Sequence, residues 1–289
     1  MSVYGDLFSY NKSEVINLEA IETSLIDEMA SFNKLMESIN VVQENVGIVL
    51  EEENVKVKLI DKFKSIIQKL KEFFNGIIAT IKQKLGKSAE KEMENIKPSD
   101  LDDEESGEKT HEYYDIAEDI KKVAKANFDD EIVLMFRRFS NGSATFKHGA
   151  GDEYEHIMNS NQTVFDKYDE YLSTEEPIKS LKGSLLHIFD TNKEISKNKE
   201  EIFKKILKVG QQIGELERYV GSEKMSSEWS DYGYDMPKVA GAISRDIINL
   251  RKALSYHNKA FNIYNEVYWK NFGILKKYNV KVNGKSVEE

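Results

Sequence analysis

Residues 55–87 read VKVKLIDKFKSIIQKLKEFFNGIIATIKQKLGK and contain nine lysines against two acidic residues, Asp61 and Glu72. The whole chain of 289 residues has a net charge of −10, so this strongly basic segment stands out. Large apolar residues recur at intervals of three and four from Leu59 to Leu85, the spacing of one face of an α-helix. The segment is therefore predicted to be a basic amphipathic helix, with Asn54 as its N-cap.

On a helical wheel, the apolar side chains of this segment fall in an arc of about 140°, and lysines line both of its borders. One border carries Lys64, Lys71 and Lys82. The other border carries Lys62, Lys69 and Lys87. This layout is typical of a helix in a membrane interface, where lysine stems extend the apolar face and their ammonium groups reach the phosphates. Each lysine near an anionic surface contributes roughly 1 kcal/mol to binding.

The residues predicted to contact a membrane or a protein partner are these six lysines and the central apolar residues of the arc. The apolar members are Phe63, Ile66, Ile67, Leu70, Phe73, Phe74, Ile77 and Ile78. Two other interpretations of the same stripe remain open. It is equally typical of a core helix in a bundle, and its approximate heptad spacing also suits a seam between copies of the chain.

Charge is segregated along the chain, and this segregation suggests the domain boundaries. Residues 1–54 are acidic and helical in pattern, 55–87 are the basic helix, and 88–112 are again acidic. The segment 88–112 is poor in large apolar residues, so it is predicted to be a disordered linker. The two acidic segments are positioned to cover the lysines of the basic helix within the same molecule.

Residues 113–289 are predicted to form a helical bundle domain, because apolar residues recur at helical spacing through most of this region. Pro237 is expected near the start of a helix that runs to about residue 278. A break in the preceding helix is expected near Asn192. The Asn-Gly pair at 283–284 is a turn signal that suggests a short β-hairpin in the tail. The predicted fold class is therefore all-α, apart from this tail.

The sequence contains no recognisable catalytic pattern, so the chain is predicted not to be an enzyme and to need no cofactor. It has no cysteine, which excludes disulfides and cysteine-ligated zinc. His148 and His156 flank an acidic, glycine-containing stretch, but their spacing matches no metal-ligand pattern, and a solvated loop is the preferred interpretation. The acidic total argues against nucleic-acid binding by the chain as a whole. The first fifteen residues lack the charged and apolar regions of a signal peptide.

The first ninety residues resemble a type seen among virion-associated proteins of tailed bacteriophages of Gram-positive hosts. The stretches that carry the resemblance are EAIETSLIDEMASFNKLMESI and ENVKVKLIDKFKSIIQKLKEFFNGIIATIKQKL. In such proteins an acidic helical N-terminus leads into a lysine-flanked amphipathic helix, and an acidic linker precedes a variable helical domain. The resemblance implies a structural or internal capsid protein, made in the host cytoplasm and carried in the virion. It transfers no catalytic residue.

These observations favour a non-enzymatic virion protein that acts through helix 55–87 on an anionic membrane surface or on other virion proteins. One alternative is a helical, oligomeric scaffold or interaction module in which helix 55–87 is the core or the seam between copies. A second alternative is an α-helical membrane-lytic protein. The decisive structural question is whether the apolar face of residues 59–85 is exposed or covered in the folded protein.

Overall fold

The computed structural model describes residues 17–46, 52–84, 114–116, 118–125, 181–222, 225 and 236–277. These residues are 95% helical and contain no strand, which confirms the all-α class. The helices are α1 (Leu18–Val46), α2 (Glu52–Lys84), α3 (Glu118–Lys125), α4 (Leu181–Tyr219) and α5 (Met236–Lys277). The predicted hairpin tail, the whole of the acidic linker 88–112, and the loop that holds His148 and His156 lie outside the described residues.

Helix α1 begins with a side-chain cap. The Asn17 Oδ1 atom accepts a hydrogen bond from the backbone N–H of Ala20 at 3.0 Å, which satisfies one of the unpaired donors of the first turn. Helix α2 begins at Glu52, earlier than predicted. Asn54 therefore lies inside the helix, and its prediction as the N-cap is wrong. The glutamates before it favour the helical conformation, because their charge complements the helix dipole.

Helix α4 is continuous from Leu181 to Tyr219, so the predicted break near Asn192 is wrong. Asn192 is fully buried, and its Nδ2 atom donates a hydrogen bond to the carbonyl oxygen of Tyr268 at 3.1 Å. The amide thus has a partner on α5 and does not compete for the backbone of its own helix. Helix α4 ends at Tyr219. Gly221, two residues later, has a φ of +83°, the left-handed conformation typical of the residues that follow a helix C-terminus.

Helix α5 begins at Met236 and ends at Lys277, within two residues of the predicted limits. Pro237 lies in its first turn, where its missing N–H costs no helical hydrogen bond. Contacts group the chain into two compact units. Unit 1 contains residues 1–82, 132–137 and 207–254, and unit 2 contains 83–131, 138–206 and 255–289. Helices α4 and α5 thus contribute residues to both units. The four-segment domain division made from the sequence stays a prediction.

The core of unit 1 is dominated by α2, which supplies more of its buried large apolar side chains than any other described helix. The buried members from α2 are Leu59, Phe63, Ile66, Ile67, Leu70, Phe73, Phe74, Ile77, Ile78 and Ile81. Helix α1 adds Leu25, Met29 and Phe32, and the unit 1 parts of α4 and α5 add aliphatic residues such as Ile213 and Ile247. The helices of unit 1 therefore pack around the apolar arc of α2.

The core of unit 2 is more polar and more aromatic. Lys199 is only 3% exposed, and its Nζ atom lies 4.5 Å from the centre of the Tyr268 ring and 5.7 Å from that of Phe261. Asn271 is fully buried and bonds both the N–H and the carbonyl oxygen of Tyr114, at 3.0 and 2.9 Å. These hydrogen bonds attach the segment before α3 to α5. They also offset the cost of burying the Asn271 amide.

Candidate functional site

The apolar arc of α2 is covered in the folded protein. All eight apolar residues predicted to bind a membrane or a partner are at most 8% exposed, and Phe63, Leu70 and Ile77 are fully buried. Their burial is part of the core of unit 1. Fully burying one such side chain contributes about 1.5–3 kcal/mol relative to leaving it exposed, so this face is a principal source of stability. A role in binding for these residues stays a prediction, and it requires them to leave the core.

The border of α2 that holds Lys62 and Lys69 faces α1. Both lysines form ion pairs with Glu28, with the Lys69 Nζ atom 3.2 Å from the carboxylate. Lys69 also lies 3.0 Å from the Ser24 hydroxyl oxygen. Hydrogen bonds from Lys62 and then Lys69 lower the pKa of Glu28, and their positive charges act in the same direction. The Glu28 carboxylate therefore offsets part of the positive charge of this border.

The other border of α2 faces the C-terminal end of α4. The Lys71 Nζ atom lies 2.9 and 3.0 Å from the two carboxylate oxygens of Glu217. Lys64 is exposed, and its Cε and Nζ atoms pass close to Gly221, where a Cβ atom would lie 3.1 and 3.3 Å from them. Lys82 is exposed, and Lys87 lies outside the described residues. Each lysine border thus has an acidic residue of a neighbouring helix against it.

Helix α1 has a second ionic attachment within unit 1. The Arg251 Nη1 atom of α5 lies 2.7 Å from the Glu22 carboxylate, and both side chains are partly buried. The Phe32 and Phe63 rings also pack together, with their centres 4.7 Å apart. Helix α1 is therefore held on one side by two lysines of α2 and on the other by an arginine of α5, around a small apolar contact.

Three charged residues have unusual environments that the sequence pattern did not predict. Glu28 is one of many acids in α1, and nothing in the pattern distinguishes it from Asp27. Asp246 is 1% exposed, and neither carboxylate oxygen has a hydrogen-bond partner among the described residues. Its position in the sequence indicates that it is buried, because it falls in the apolar stripe of α5 that includes Ile243 and Ile247. Lys199 likewise falls between Ile195 and Ile202 in the buried stripe of α4.

Neither metal-binding clusters nor membrane-spanning helices occur in the part of the chain that the structure describes. No group of three or more histidines, aspartates or glutamates is arranged there to hold a metal ion. No described helix is long and apolar enough to cross a bilayer. Helix α2 is thus a basic, strongly amphipathic helix, and its Lys62, Lys69 and Lys71 pair with acidic residues of neighbouring helices.

Comparisons of this chain with family models, with curated proteins and with solved structures find no match.

Proposed function

We propose that this chain is a non-enzymatic structural protein of a virion that stores the basic amphipathic helix α2 in its core. The helix acts on an anionic membrane surface or on another virion protein. The observation that carries the proposal is the pairing of both lysine borders of α2 with acidic residues. Lys62 and Lys69 pair with Glu28, and Lys71 pairs with Glu217.

Two arguments support this proposal. The first is that a core helix needs the apolar arc but does not need a row of lysines along each border. Exposed ion pairs contribute little to stability, so the lysines are better explained by a second, anionic partner. The second argument is the resemblance of the first ninety residues to virion-associated phage proteins, which place an acidic helical segment before a lysine-flanked helix. Virion localisation rests on this resemblance.

The proposal predicts that the full-length chain binds vesicles containing phosphatidylglycerol and does not bind vesicles of phosphatidylcholine alone. Lys64→Glu should weaken this binding by about tenfold or more, because each lysine near an anionic surface contributes roughly 1 kcal/mol and the change reverses one charge. Co-sedimentation at low ionic strength measures the binding. Lys34→Glu is the matched control, because it makes the same charge change at an exposed position of α1 and should have little effect.

If neither the wild-type chain nor any variant sediments with anionic vesicles, the membrane version of this proposal is wrong. The second candidate is then favoured, a helical scaffold or interaction module with α2 as its core. The observation that supports this candidate is the nearly complete burial of the apolar arc, which needs no external partner. Sedimentation velocity of the same samples distinguishes it, since a scaffold that works by self-assembly forms a stable oligomer.

A further inference from the structure

Helix α1 is attached to the core of unit 1 by a narrow apolar contact. In residues 18–37, where the burial of its side chains is described, the large apolar residues that are buried are Leu25, Met29 and Phe32. Ile26 and Leu35 on the same helix are 44% and 36% exposed. Helix α2 buries a continuous stripe instead. Segments with few buried apolar contacts open at lower free energy than the rest of a protein, so α1 is a natural candidate for local opening.

The charges of the two helices are opposite. Residues 18–46 contain six acids and one lysine, whereas residues 52–84 contain eight lysines and four acids. These opposite charges meet at Glu28 of α1, whose carboxylate pairs with both Lys62 and Lys69 of α2. A carboxylate that bridges two ammonium groups has the charge and the hydrogen-bond acceptors of a phosphate. Helix α1 therefore presents to α2 the chemistry of an anionic surface.

We propose that α1 is an autoinhibitory cover of α2, and that an anionic lipid surface competes with it. Displacement of α1 frees Lys62 and Lys69 from Glu28. It also uncovers the Phe63 ring, which packs against Phe32 while α1 is in place. Lipid phosphates take the place of the carboxylate, and the uncovered ring enters the headgroup region. This inference rests on the proposed function, because it assigns the lipid surface as the target of α2 and α1 as its regulator.

The ion pairs at Glu28 contribute to the strength of the cover, together with the apolar contact of α1. Both of its partners are partly buried lysines, and Glu28 itself is 19% exposed. The Arg251–Glu22 pair attaches α1 to α5 independently of α2. Loss of the Glu28 charge should therefore loosen α1 from α2 without removing α1 from the fold. A covalent link between positions 22 and 251 should hold α1 closed without changing any residue of α2.

The test measures binding of full-length variants to vesicles of phosphatidylglycerol and phosphatidylcholine. Glu28→Gln should bind roughly five- to tenfold more tightly than wild type, because two partly buried ion pairs no longer oppose opening. Glu37→Gln is the matched control: it removes one negative charge from an exposed position of the same helix and should bind as wild type does. Circular dichroism should show equal helix content in all three proteins.

The second arm combines Glu28→Gln with Glu22→Cys and Arg251→Cys. The chain has no cysteine of its own, so a reducible bifunctional maleimide links these two positions specifically. The linked protein should lose the gain in vesicle binding, and reduction of the linker should restore it. If the gain persists in the linked protein, lipid binding does not require displacement of α1, and the proposal is overturned.

The remaining outcomes separate this inference from the proposed function. If Glu28→Gln, Glu37→Gln and wild type bind equally well, and Lys64→Glu weakens all of them, α2 is the lipid-binding helix but α1 is not its cover. If Glu28→Gln binds more tightly but Lys64→Glu has no effect in that background, the lipid contact lies elsewhere than on α2, and both proposals fail.

Discussion

Asp246→Asn is expected to stabilise the protein strongly at pH 8 and to change its stability little below about pH 4. Asp246 is 1% exposed in the core of unit 1. Burial raises the pKa of its carboxyl group from the ordinary value of 3.8 to about 8, although the charge of Arg245 lowers it somewhat. The folded protein therefore keeps this carboxyl protonated at neutral pH, whereas the unfolded chain releases the proton.

The sign of the pH dependence follows from this difference in bound protons. Between pH 3.8 and about 8 the folded state holds one proton more at Asp246 than the unfolded state, so rising pH favours unfolding. The free energy of unfolding of the wild-type protein therefore falls by about 1.4 kcal/mol per pH unit, and the total loss is on the order of 5 kcal/mol at pH 8. Asparagine resembles the neutral acid in shape and has no proton to release. The variant should therefore lack this part of the pH dependence.

Urea unfolding of wild type and Asp246→Asn at pH 5, 7 and 8.5 measures this effect. The difference in the free energy of unfolding between the two proteins should widen from pH 5 to pH 8.5. Asp27→Asn is the control, because Asp27 is exposed on α1 and its removal should leave the slope of the wild-type curve unchanged. Parallel curves for wild type and Asp246→Asn would show that Asp246 is ionised in the folded protein.

Gly210→Ala is expected to destabilise unit 1 by about 1–3 kcal/mol, the usual cost of overpacking a core. A Cβ atom at position 210 would lie 2.3 Å from Cζ of Phe74 and 2.5 Å from its Cε2, far inside van der Waals contact. Phe74 is only 8% exposed, so its ring lies in the core. It therefore has little free space into which to move, and α4 or the ring must shift.

Gly214→Ala, one turn further along the same helix, is the matched control. No heavy atom lies within 4 Å of a Cβ atom there. Alanine should stabilise the helix at this position by about 0.5–1 kcal/mol, because it restricts the unfolded chain more than glycine does. Thermal or urea unfolding should thus move in opposite directions for the two variants. A double variant, Gly210→Ala with Phe74→Leu, should recover part of the lost stability. If Gly210→Ala behaves like Gly214→Ala, the close packing of α2 on α4 is wrong.

The sequence predicts the helices of this fold better than it predicts which helices pack against each other. The helical class and the limits of α5 follow from periodicity and from Pro237, which are local signals. The predictions of an N-cap at Asn54 and of a helix break at Asn192 were wrong. Asparagine is common at helix caps and breaks, but whether it ends a helix depends on the residues around it. The buried amide of Asn192 has its partner on α5, and that partner is 76 residues away in the chain.

The candidate site shows the same limit. The wheel of α2 reveals an apolar arc with two lysine borders, but it does not reveal what covers them. Charge segregation suggests an acidic cover from within the molecule, and the pairing of Lys69 with Glu28 agrees with it. The pairing of Lys71 with Glu217 was not foreseen, because it joins residues 146 positions apart in the chain. Asp246 was detectable in principle, since a lone acid in an apolar stripe signals a buried carboxyl.

The central claim is that α2 is stored in the core, with α1 as its more loosely held cover. Hydrogen–deuterium exchange of the full-length chain in the absence of lipid tests this claim directly. Backbone amides of residues 59–81 should exchange only on global unfolding, and those of residues 18–37 should exchange faster, through local opening of α1. Exchange of residues 59–81 as fast as that of α1 would contradict the account, because it would show that α2 is not held in the core.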